Sequence, residues 1–338
     1  MLLLKNHSLK NLNTFGVDIK AKFFAEVFSG EELIKLLSDE TFKQEKKFVL
    51  GGGSNILFTK DFDGIIIKIS IPRIKIIEEN SDSVIIETGA GVIWDELVKY
   101  CVDKNYGGIE NLTLIPGTVG AAPIQNIGAY GQELSDTLVS LSGVFIESGK
   151  NKIFNKEECK FSYRSSIFKE ELKNKFIITA VRLRLSMNPK PNITYKNLDE
   201  YFSKKKISNP DIKDVSKAVA EIRRSRLPDP KKNGNAGSFF KNPVLNEDTF
   251  SKLKSEYPDI VNFPSEEGQV KISAGWLIEK CGWKGKRFGE VGTSPDHALV
   301  ICNFGKANGA EIFEFTMRLK EEVTNMFGIK LEEEVNIL

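Results

Sequence analysis

Histidine and paired cysteine are scarce in this chain of 338 residues, and their scarcity excludes several kinds of site. A histidine-rich metal site or a Ser-His-Asp triad would have to use one of the two histidines, His7 and His297. None of the four cysteines stands in a C-x-x-C pair, which argues against both a zinc site and a redox dithiol. We therefore expect no metal ion, and we expect the cysteines to be small core residues of a protein in a reducing compartment.

An excess of one charge and a long apolar run are also missing. Lysine and arginine number 48 against 46 acidic residues, and no basic stretch carries interleaved aromatics, so nucleic acid is not an expected partner. No apolar run approaches the roughly 18 residues of a membrane span. The segment from Met1 to Lys5 becomes polar too quickly for a signal peptide. The sequence predicts a cytoplasmic protein with no membrane insertion.

Length and apolar periodicity predict a mixed protein of two or three domains, with a boundary near 211. The composition, 41% hydrophobic and 28% charged, is ordinary for a globular protein. Apolar runs predict strands at 21–27, 48–50, 56–58, 64–70, 83–88, 142–147, 176–185 and 298–302. Helical spacing predicts helices at 30–39, at 94–104, from beyond Pro210 to Arg226, at 272–281 and at about 310–327, with Gly328 in the C′ position. The stretch 285–297 is predicted to be a loop.

Glycine is concentrated in three stretches, of which the first, 51–55, reads G-G-G-S-N. It lies between two predicted strands, so it is not the G-x-G-x-x-G fingerprint, in which a helix follows. Its backbone amides could face a phosphate. A tight β-turn is the alternative.

The second stretch, 115–131, reads I-P-G-T-V-G-A-A-P-I-Q-N-I-G-A-Y-G and has almost no bulky polar side chain. Its isoleucines and valine argue against a solvated linker, because linkers are polar. Its glycines permit a close approach of the backbone to a ligand. The stretch therefore favours a chain wrapped around a large flat ligand and its pyrophosphate.

The third stretch, 233–243, reads N-G-N-A-G-S-F-F-K-N-P. Gly234 and Gly237 could let the backbone approach a ligand or adopt positive φ. The Phe239-Phe240 pair could anchor the stretch in a core while Ser238 stays at its rim. The alternative is an ordinary turn between two elements.

Two charged features also stand out. Arg164 lies in F-S-Y-R-S-S, where it could equally be an exposed loop arginine. Near the C-terminus, Glu332, Glu333 and Glu334 lie between apolar residues. They are either a solvated tail or part of a strand in which Glu332 and Glu334 share one face.

Seven segments together match one family in order: Asn13 to Phe15, Gly51 to Asn55, Ile115 to Gly131, Tyr163 to Ser166, Arg226 to Pro230, Asn233 to Pro243 and Leu331 to Val335. On these segments the chain resembles the UDP-N-acetylenolpyruvoylglucosamine reductase family. Members of that family use FAD to make UDP-N-acetylmuramate for bacterial peptidoglycan. The resemblance therefore implies a role in cell-wall biogenesis, cell shape and division.

The resemblance implies an α+β fold with three domains. Two form the FAD-binding fold of the vanillyl-alcohol-oxidase (PCMH-type) superfamily, and the third is an α+β substrate-binding domain. The expected ranges are 1–72 with 328–338 returning to it, 73–210 and 211–327. We expect a monomer with non-covalently bound FAD. The residues expected to bind it are Asn13, Thr14, Gly51, Gly52, Gly53, Ser54, Asn55, Pro116, Gly117, Thr118, Gly120, Ala121, Gln125, Asn126, Gly128, Ala129 and Tyr130.

The resemblance also implies the chemistry. NADPH reduces the FAD, and hydride then passes to C3 of the enolpyruvyl ether of UDP-N-acetylglucosamine-enolpyruvate. The implied catalytic residues are Ser238, which protonates C2, and Arg164 and Glu334, which flank the substrate carboxylate. The implied substrate-binding residues are Tyr163, Tyr195, Arg226, Gly237, Asn242 and His297. Tyr195 matches the tyrosine of a mobile loop found in one subgroup of the family.

Two other functions compete with this one. A flavin oxidase of the same superfamily often attaches FAD through histidine, and neither histidine here lies in a flavin-loop motif. A non-catalytic nucleotide-sugar or flavin-binding protein would not need Arg164, Ser238 and Glu334 together. Ser238 as a nucleophile is disfavoured because no histidine is a plausible partner.

Overall fold

The computed structural model describes all 338 residues, and the chain divides into two compact units. Unit 1 comprises Met1–His7, Lys20–Gly53 and Phe62–Ser225, and unit 2 comprises Ser8–Ile19, Ser54–Asp61 and Arg226–Leu338. The three-domain division expected from the family resemblance stays a prediction.

The elements of regular structure are numbered in chain order. The strands are β1 Leu2–Ser8, β2 Lys20–Val27, β3 Lys47–Leu50, β4 Ile56–Leu57, β5 Phe62–Ile69, β6 Ile74–Glu79, β7 Ser83–Gly89, β8 Gly128–Ala129, β9 Gln132–Glu133, β10 Leu138–Phe145, β11 Asn151–Asn155, β12 Phe176–Ser186, β13 Gly234–Ser238, β14 Val244–Asn246, β15 Asn262–Phe263, β16 Gln269–Ile272, β17 Arg287–Phe288, β18 Val291–Thr293, β19 Val300–Asn303 and β20 Asn336–Ile337. The helices are α1 Gly30–Ser38, α2 Glu40–Lys43, α3 Trp94–Asp103, α4 Lys196–Lys205, α5 Ile212–Arg226, α6 Glu247–Glu256, α7 Ala274–Lys280 and α8 Gly309–Phe327.

Unit 1 contains two larger sheets and the two-stranded sheet β8-β9. The first has the strand order β1-β2-β5-β3, and β5 runs parallel to both β2 and β3. Its apolar side chains, such as Ile65 and Ile67, pack in one buried cluster with Leu33 and Leu36 of α1. Helix α1 begins where the Ser29 side chain accepts a hydrogen bond from the amide of Glu32. Apolar spacing on α1 thus places the helix on the sheet.

The second sheet of unit 1 is antiparallel, with the order β11-β10-β12-β7-β6. Its buried cluster includes Trp94, Leu97 and Cys101 from one face of α3 and Val181 and Leu183 from β12. The indole of Trp94 donates to the carbonyl of Leu112 at 3.1 Å, which satisfies its buried N–H. This core supports the glycine-rich stretch 115–131, several of whose apolar residues belong to the same cluster.

A third buried cluster of unit 1 joins α4 to α5. Leu198 and Phe202 of α4 pack with Val215 and Val219 of α5. Tyr130 and Tyr195 are partly buried against this cluster. The two helices therefore lie beneath two of the residues expected to contact ligands.

Unit 2 is built around the four-stranded sheet β13-β19-β18-β17, with a three-stranded sheet β14-β16-β15 and the parallel pair β20-β4. Its longest helix, α8, starts with a capping box between Asn308 and Glu311. It ends at Gly328, whose φ of 69° is the left-handed conformation predicted for the C′ position. No helix in the chain is both long enough and apolar enough to span a membrane.

Several predicted elements are wrong or incomplete. The stretch 285–297, expected to be a loop, contains β17 and β18. The strand expected at 142–147 is instead β10, Leu138–Phe145. The helix expected from 272 begins at Ala274, because Ile272 ends β16 and the Ser273 side chain caps the helix. Strand β1 and helix α6 were not expected at all.

The cysteines fit the core role expected of them. Cys101, Cys159 and Cys302 are buried, Cys281 is half-buried, and all four are free thiols. Burial raises the pKa of Cys101 to about 12 and that of Cys281 to about 11. These thiols therefore stay protonated at neutral pH.

Candidate active site

Two of the segments expected to bind FAD touch each other in unit 1. A Cβ added to Gly51 would lie 2.6 Å from the Thr118 Oγ1, and one added to Gly52 would lie 2.8 Å from the Gly117 Cα. Glycine is thus required at 51 and 52 because the turn packs on the second glycine-rich stretch, and not only because a ligand must come near. Gly53 adds a left-handed turn with φ of 65°.

The stretch from Pro116 to Ala121 is held in place by backbone hydrogen bonds. The Val119 amide donates to the carbonyl of Val92 at 2.9 Å, and the Gly120 amide donates to Ala90 at 2.9 Å. A Cβ at Gly120 would lie 2.5 Å from that of Ala90. This part of the stretch is therefore ordered and is not a linker.

The next turn, Ala122–Gln125, is a 3-10 helix that ends at Asn126. Asn126 is buried with φ of 42°, its Nδ2 donates to Glu133 Oε2 at 2.7 Å, and its Oδ1 accepts from the Ser135 amide at 3.0 Å. Asparagine tolerates this conformation better than most residues. Gly128–Ala129 then form β8, paired with β9.

Arg164 is attached to this same turn. Its Nη2 donates to the carbonyl of Gly128 at 2.6 Å, and its Nη1 lies 3.5 Å from the carbonyl of Asn126. Its guanidinium lies 5.1 Å from the ring centroid of Tyr163, and Glu133 Oε1 is 4.0 Å away. The structure thus excludes the alternative of a solvated loop arginine, because the side chain is only 18% exposed.

Tyr130 and Tyr195, one expected at the flavin and the other at the substrate, are neighbours. Their ring centroids are 5.4 Å apart at an interplanar angle of 73°. Tyr195 is the N-cap residue of α4, and its carbonyl accepts from the amides of Leu198 and Asp199. This contact links the end of the second glycine-rich stretch to the start of α4.

Sequence reasoning missed two residues beside this region that have a buried polar atom without a hydrogen bond. The Nε of Arg223, on α5, is buried and makes no hydrogen bond. Burial lowers the pKa of the Arg223 guanidinium, while the nearby Tyr130 and Asp95 act in the opposite direction. The second residue is Asn111, which is fully buried and whose Oδ1 also makes no hydrogen bond. The basic run ending α5 was the available signal for Arg223, whereas nothing local to Asn111 gave one.

In unit 2, residues Gly234–Ser238 of the third glycine-rich stretch form strand β13, so the alternative of an ordinary turn is wrong for this part of the stretch. Gly234, Asn235 and Ser238 of β13 pair with Asn303, Cys302 and Val300 of β19, with a register shift before Ser238. Gly237 causes that irregularity, because its φ is 71°.

Gly234 has a different purpose. A Cβ there would lie 2.3 Å from the carbonyl oxygen of Phe15, so glycine is needed for contact with the protein's own backbone. The neighbouring Asn235 donates its amide to the carbonyl of Thr14 at 3.0 Å. The two segments Thr14–Phe15 and Gly234–Asn235 therefore pack together within unit 2.

Ser238 and Glu334 come together at the end of β13. The Glu334 amide donates to the carbonyl of Phe239 at 2.8 Å, next to Ser238 in the chain. Ser238 is half-buried, and its hydroxyl makes no hydrogen bond within the protein. The backbone thus holds the serine in place and leaves its hydroxyl available.

The two other carboxylates of the C-terminal cluster are ion-paired. Glu332 Oε2 lies 3.1 Å from the Lys241 Nζ, and Glu333 Oε1 lies 2.6 Å from the Lys320 Nζ. Glu333 also forms an isolated β-bridge with Phe240. The cluster is therefore neither a solvated tail nor a regular strand.

Asn55, which directly precedes β4, contacts the C-terminal segment that contains Glu334. Its Nδ2 donates to the carbonyl of Glu334 at 3.1 Å, and its own carbonyl accepts from the Asn336 amide at 3.1 Å. Ser54 precedes it and is half-buried. Asn13 is used within its own turn, since its Nδ2 donates to Leu9 and Val17 carbonyls at 2.8 and 3.0 Å.

The remaining expected substrate residues of unit 2 are dispersed. The Oδ1 of Asn242 accepts from the Ala274 amide at 3.0 Å, at the start of α7. His297 lies in the turn before β19, and its carbonyl accepts from the Val300 amide at 3.0 Å. Arg226 is exposed at the end of α5, where its side chain forms no hydrogen bond or ion pair.

Comparisons with known proteins bear on both units. Residues 229–338 match the family described as UDP-N-acetylenolpyruvoylglucosamine reductase, C-terminal domain, and residues 21–152 match the family described as FAD binding domain. A UDP-N-acetylenolpyruvoylglucosamine reductase from Flavobacterium johnsoniae is 48% identical over 339 residues, covering 100% of both chains. One from Pseudomonas aeruginosa is 40% identical over 337 residues, covering 99% of both. The crystal structure of the Thermus caldophilus reductase matches 99% of this chain and 98% of its own, with a TM-score of 0.68 and 25% identity.

Proposed function

Since the chain belongs to the UDP-N-acetylenolpyruvoylglucosamine reductase family, we propose that it uses NADPH to reduce the enolpyruvyl ether of UDP-N-acetylglucosamine-enolpyruvate to UDP-N-acetylmuramate. Two predictions from the sequence are confirmed: that the chain belongs to this family and that it has an α+β FAD-binding fold. The chain is thus a flavoprotein oxidoreductase, and the reaction serves peptidoglycan precursor synthesis. The observation that carries the proposed chemistry is that Ser238, whose hydroxyl makes no hydrogen bond within the protein, is next in the chain to Phe239, whose carbonyl accepts from the Glu334 amide.

The residues present in unit 1 fit a flavin nucleotide. The exposed Gly52 amide makes no hydrogen bond within the protein and can donate to a phosphate. The buried Nε of Arg223 has no hydrogen-bond partner within the protein. Because an unpaired buried N–H of a cationic group is unfavourable, an anionic ligand is a suitable partner for it. Thr118, Asn126 and Tyr130 are proposed to contact the cofactor as well. Asn13, Thr14, Ser54 and Asn55 are further proposed FAD-binding residues.

When bound, FAD would take hydride from NADPH and supply it to C3 of the enolpyruvyl group. The protein's own task is to place a proton at C2. We assign that task to the Ser238 Oγ, because it is held by a paired strand and has no competing partner. A serine hydroxyl is a weak acid, so another group must assist it. One candidate is Lys241, three residues on, which is ion-paired with Glu332, and the other is a bound water.

Charge that develops on the substrate carboxylate needs a cation and a hydrogen-bonding acid. We assign these roles to Arg164 and Glu334. The bond from Arg164 to the Gly128 carbonyl fixes the plane of the guanidinium before substrate arrives. Tyr163, Tyr195, Arg226, Gly237, Asn242 and His297 are proposed to bind the rest of the nucleotide sugar. Tyr195 would place the chain in the subgroup of the family that has the tyrosine loop. We also propose that the protein is a cytoplasmic monomer.

The direct test is NADPH oxidation by the purified yellow protein with and without the enolpyruvyl nucleotide sugar. We expect oxidation that depends strictly on that substrate and forms UDP-N-acetylmuramate. UDP-N-acetylglucosamine, which lacks the enolpyruvyl group, is the matched control and should give no turnover. A colourless protein, or equal NADPH oxidation by oxygen alone, would contradict the proposal.

A further inference from the structure

Asn111 occupies a buried position between two segments that are distant in sequence. It lies in the 3-10 turn Glu110–Leu112 and is 0% exposed. Its Nδ2 donates to the carbonyl of Tyr130 at 2.8 Å and to the carbonyl of Asn192 at 2.8 Å. One side chain thus joins the end of the second glycine-rich stretch to the segment that leads into Tyr195.

The orientation of this amide is fixed by its partners. Both acceptors are carbonyl oxygens, so only the amide nitrogen, with its two hydrogens, can serve both. The Asn111 backbone amide donates in addition to Gln132 Oε1 at 3.2 Å. Asparagine is therefore required chemically at 111, because neither aspartate nor an aliphatic residue of similar size can donate two hydrogen bonds.

A second link reinforces the first. The Asn192 Nδ2 donates back to the carbonyl of Gly131 at 3.1 Å, and its Oδ1 accepts from Thr194. Tyr130 has a left-handed φ of 50° and Gly131 has φ of 81°. For a bulky residue such a conformation is strained and must be held by its surroundings. The Asn111 bond to the Tyr130 carbonyl supplies part of that restraint.

We propose that Asn111 is a positioning residue that couples the flavin-binding stretch to the substrate-binding segment 188–195. This inference rests on the proposed function, in which Tyr130 contacts FAD and Tyr195 contacts the nucleotide sugar. Asn111 touches neither ligand in this scheme. It fixes where Tyr195 begins α4 relative to Tyr130, and so it controls how well the segment is prepared for substrate.

The test compares Asn111→Asp with Thr113→Val. Asn111→Asp keeps the shape of the side chain but replaces the donor nitrogen with a carboxylate oxygen. That oxygen cannot donate to the carbonyls of Tyr130 and Asn192, so both hydrogen bonds are lost. Thr113→Val is the matched control in the same turn: it removes the bonds from the Thr113 Oγ1 to the Glu110 carbonyl and to Ser216, at 2.7 and 2.8 Å. Thr113→Val leaves the donor to Tyr130 and Asn192 in place.

The first readout needs no catalysis. Amide hydrogen exchange of the segment 188–195, followed by mass spectrometry, should become about tenfold faster or more in Asn111→Asp, the effect of losing a net buried hydrogen bond. Thr113→Val should leave exchange in this segment unchanged. No acceleration in Asn111→Asp, or the same acceleration in Thr113→Val, would overturn the proposal.

The second readout separates positioning from general destabilisation. In Asn111→Asp we expect the KM for the enolpyruvyl nucleotide sugar to rise about tenfold, while the rate of flavin reduction by NADPH stays within about twofold of wild type. Equal slowing of both half-reactions would overturn the proposal. If the wild-type protein shows no substrate-dependent turnover, the proposed function fails, and the exchange measurement still decides the coupling.

A milder variant covers the case in which Asn111→Asp does not fold. Asn192→Ala changes a half-buried residue and removes the bond to the Gly131 carbonyl, together with the two local bonds that the Asn192 Oδ1 accepts from Thr194. It should shift exchange and KM in the same direction by about threefold, since the Asn111 bonds remain. An unchanged segment in Asn192→Ala would count against the coupling.

Discussion

The second and third glycine-rich stretches, 115–131 in unit 1 and 233–243 in unit 2, have similar compositions but are held by different means. In unit 1, side chains from distant positions bind the carbonyls of the stretch: Arg164 binds Gly128, Asn111 binds Tyr130, and the Ser166 Oγ binds Ile124 at 2.7 Å. In unit 2, the backbone of β13 pairs with β19, and the side chain that supports the turn before Ser238 comes from within the stretch itself: the Asn235 Oδ1 accepts from the Gly237 amide at 3.0 Å.

This difference predicts which substitutions change chemistry alone. A residue placed by main-chain pairing can lose its side-chain function without moving the chain. A side chain that also supports a loop cannot be changed without moving that loop. Ser238 is of the first kind and Arg164 is of the second, so the two proposed catalytic residues should give different kinetic results.

The largest effect is expected for Ser238→Ala. Reoxidation of the reduced flavin by the enolpyruvyl nucleotide sugar should slow by about 10²–10⁴-fold, the usual contribution of a general acid. Reduction of the flavin by NADPH should keep its rate, because the strand that carries residue 238 is unchanged. Stopped-flow absorbance of the flavin measures each half-reaction separately.

The control for this variant is Ser255→Ala, on the exposed side of α6, where the Ser255 Oγ donates only to the carbonyl of Ser251. It should leave both half-reactions unchanged. If Ser238→Ala slows flavin reduction as much as reoxidation, the serine supports the strand and is not the proton donor.

Arg164→Lys should have the next largest effect, and a mixed one. A lysine keeps the positive charge but cannot reproduce the guanidinium fork, which binds the Gly128 carbonyl and is proposed to bind the substrate carboxylate as well. We expect a loss of about 10²-fold in kcat, the lower end of what one stabilising donor contributes. Because the 115–131 stretch loses a support, flavin should also dissociate more readily, as measured by equilibrium dialysis of the purified protein.

Arg182→Lys is the matched control for this change, since Arg182 pairs with Glu87 on the second sheet and is 41% exposed. It should retain both flavin and turnover. Full flavin retention in Arg164→Lys together with normal kcat would remove the contrast between the two stretches.

Two glycine substitutions test the same contrast at the backbone. In Gly52→Ala the new Cβ would lie 2.8 Å from the Gly117 backbone, so the contact between two proposed flavin segments must open. In Gly237→Ala the Cβ has open space, and the cost is the positive φ alone, about 1 kcal/mol. Gly52→Ala should therefore weaken FAD binding by at least about tenfold.

Gly237→Ala should lower the free energy of unfolding by that smaller amount and leave FAD affinity unchanged. Urea denaturation and flavin titration of both variants provide the measurements. The idea that unit 1 glycines serve packing would be wrong if Gly52→Ala bound FAD as tightly as wild type.

Sequence patterns predicted some parts of this molecule well for identifiable reasons. Helix α8 has Ile312, Phe315 and Leu319 at helical spacing and a glycine stop, all of which are local signals. Strand β13 was missed because the sequence G-N-A-G-S has no strand propensity, and its conformation comes from its partner β19.

The same distinction applies to the candidate site. Motifs identified the positions of Arg164, Ser238 and Glu334, whose proposed roles follow from side-chain chemistry. They could not identify Asn111, because its partners Tyr130 and Asn192 lie 19 and 81 residues away and offer only backbone carbonyls. Any residue type can present a carbonyl, so the sequence carries no mark of such a contact.

The smallest effect is expected for Glu221→Gln, which changes an exposed attachment of α4 instead of the buried one at Asn111. The Tyr201 hydroxyl donates to Glu221 Oε2 at 2.7 Å and Lys205 lies 2.9 Å from the same oxygen, but the Glu221 and Lys205 side chains are 41% and 46% exposed. Exposed ion pairs contribute little, so exchange in the segment 188–195 should change by less than about twofold at pH 7.

The pH dependence of this contact has a definite sign. The hydrogen bond from Tyr201, followed by that from Lys205, lowers the pKa of Glu221 below its usual value. The carboxylate therefore supports the fold at neutral pH, and that support is lost as pH falls through the lowered pKa. Wild type and Glu221→Gln should then converge in hydrogen exchange, corrected for intrinsic rates, as pH is lowered from neutral to about 3. A Glu221→Gln effect as large as that of Asn111→Asp would mean that burial does not distinguish the two attachments.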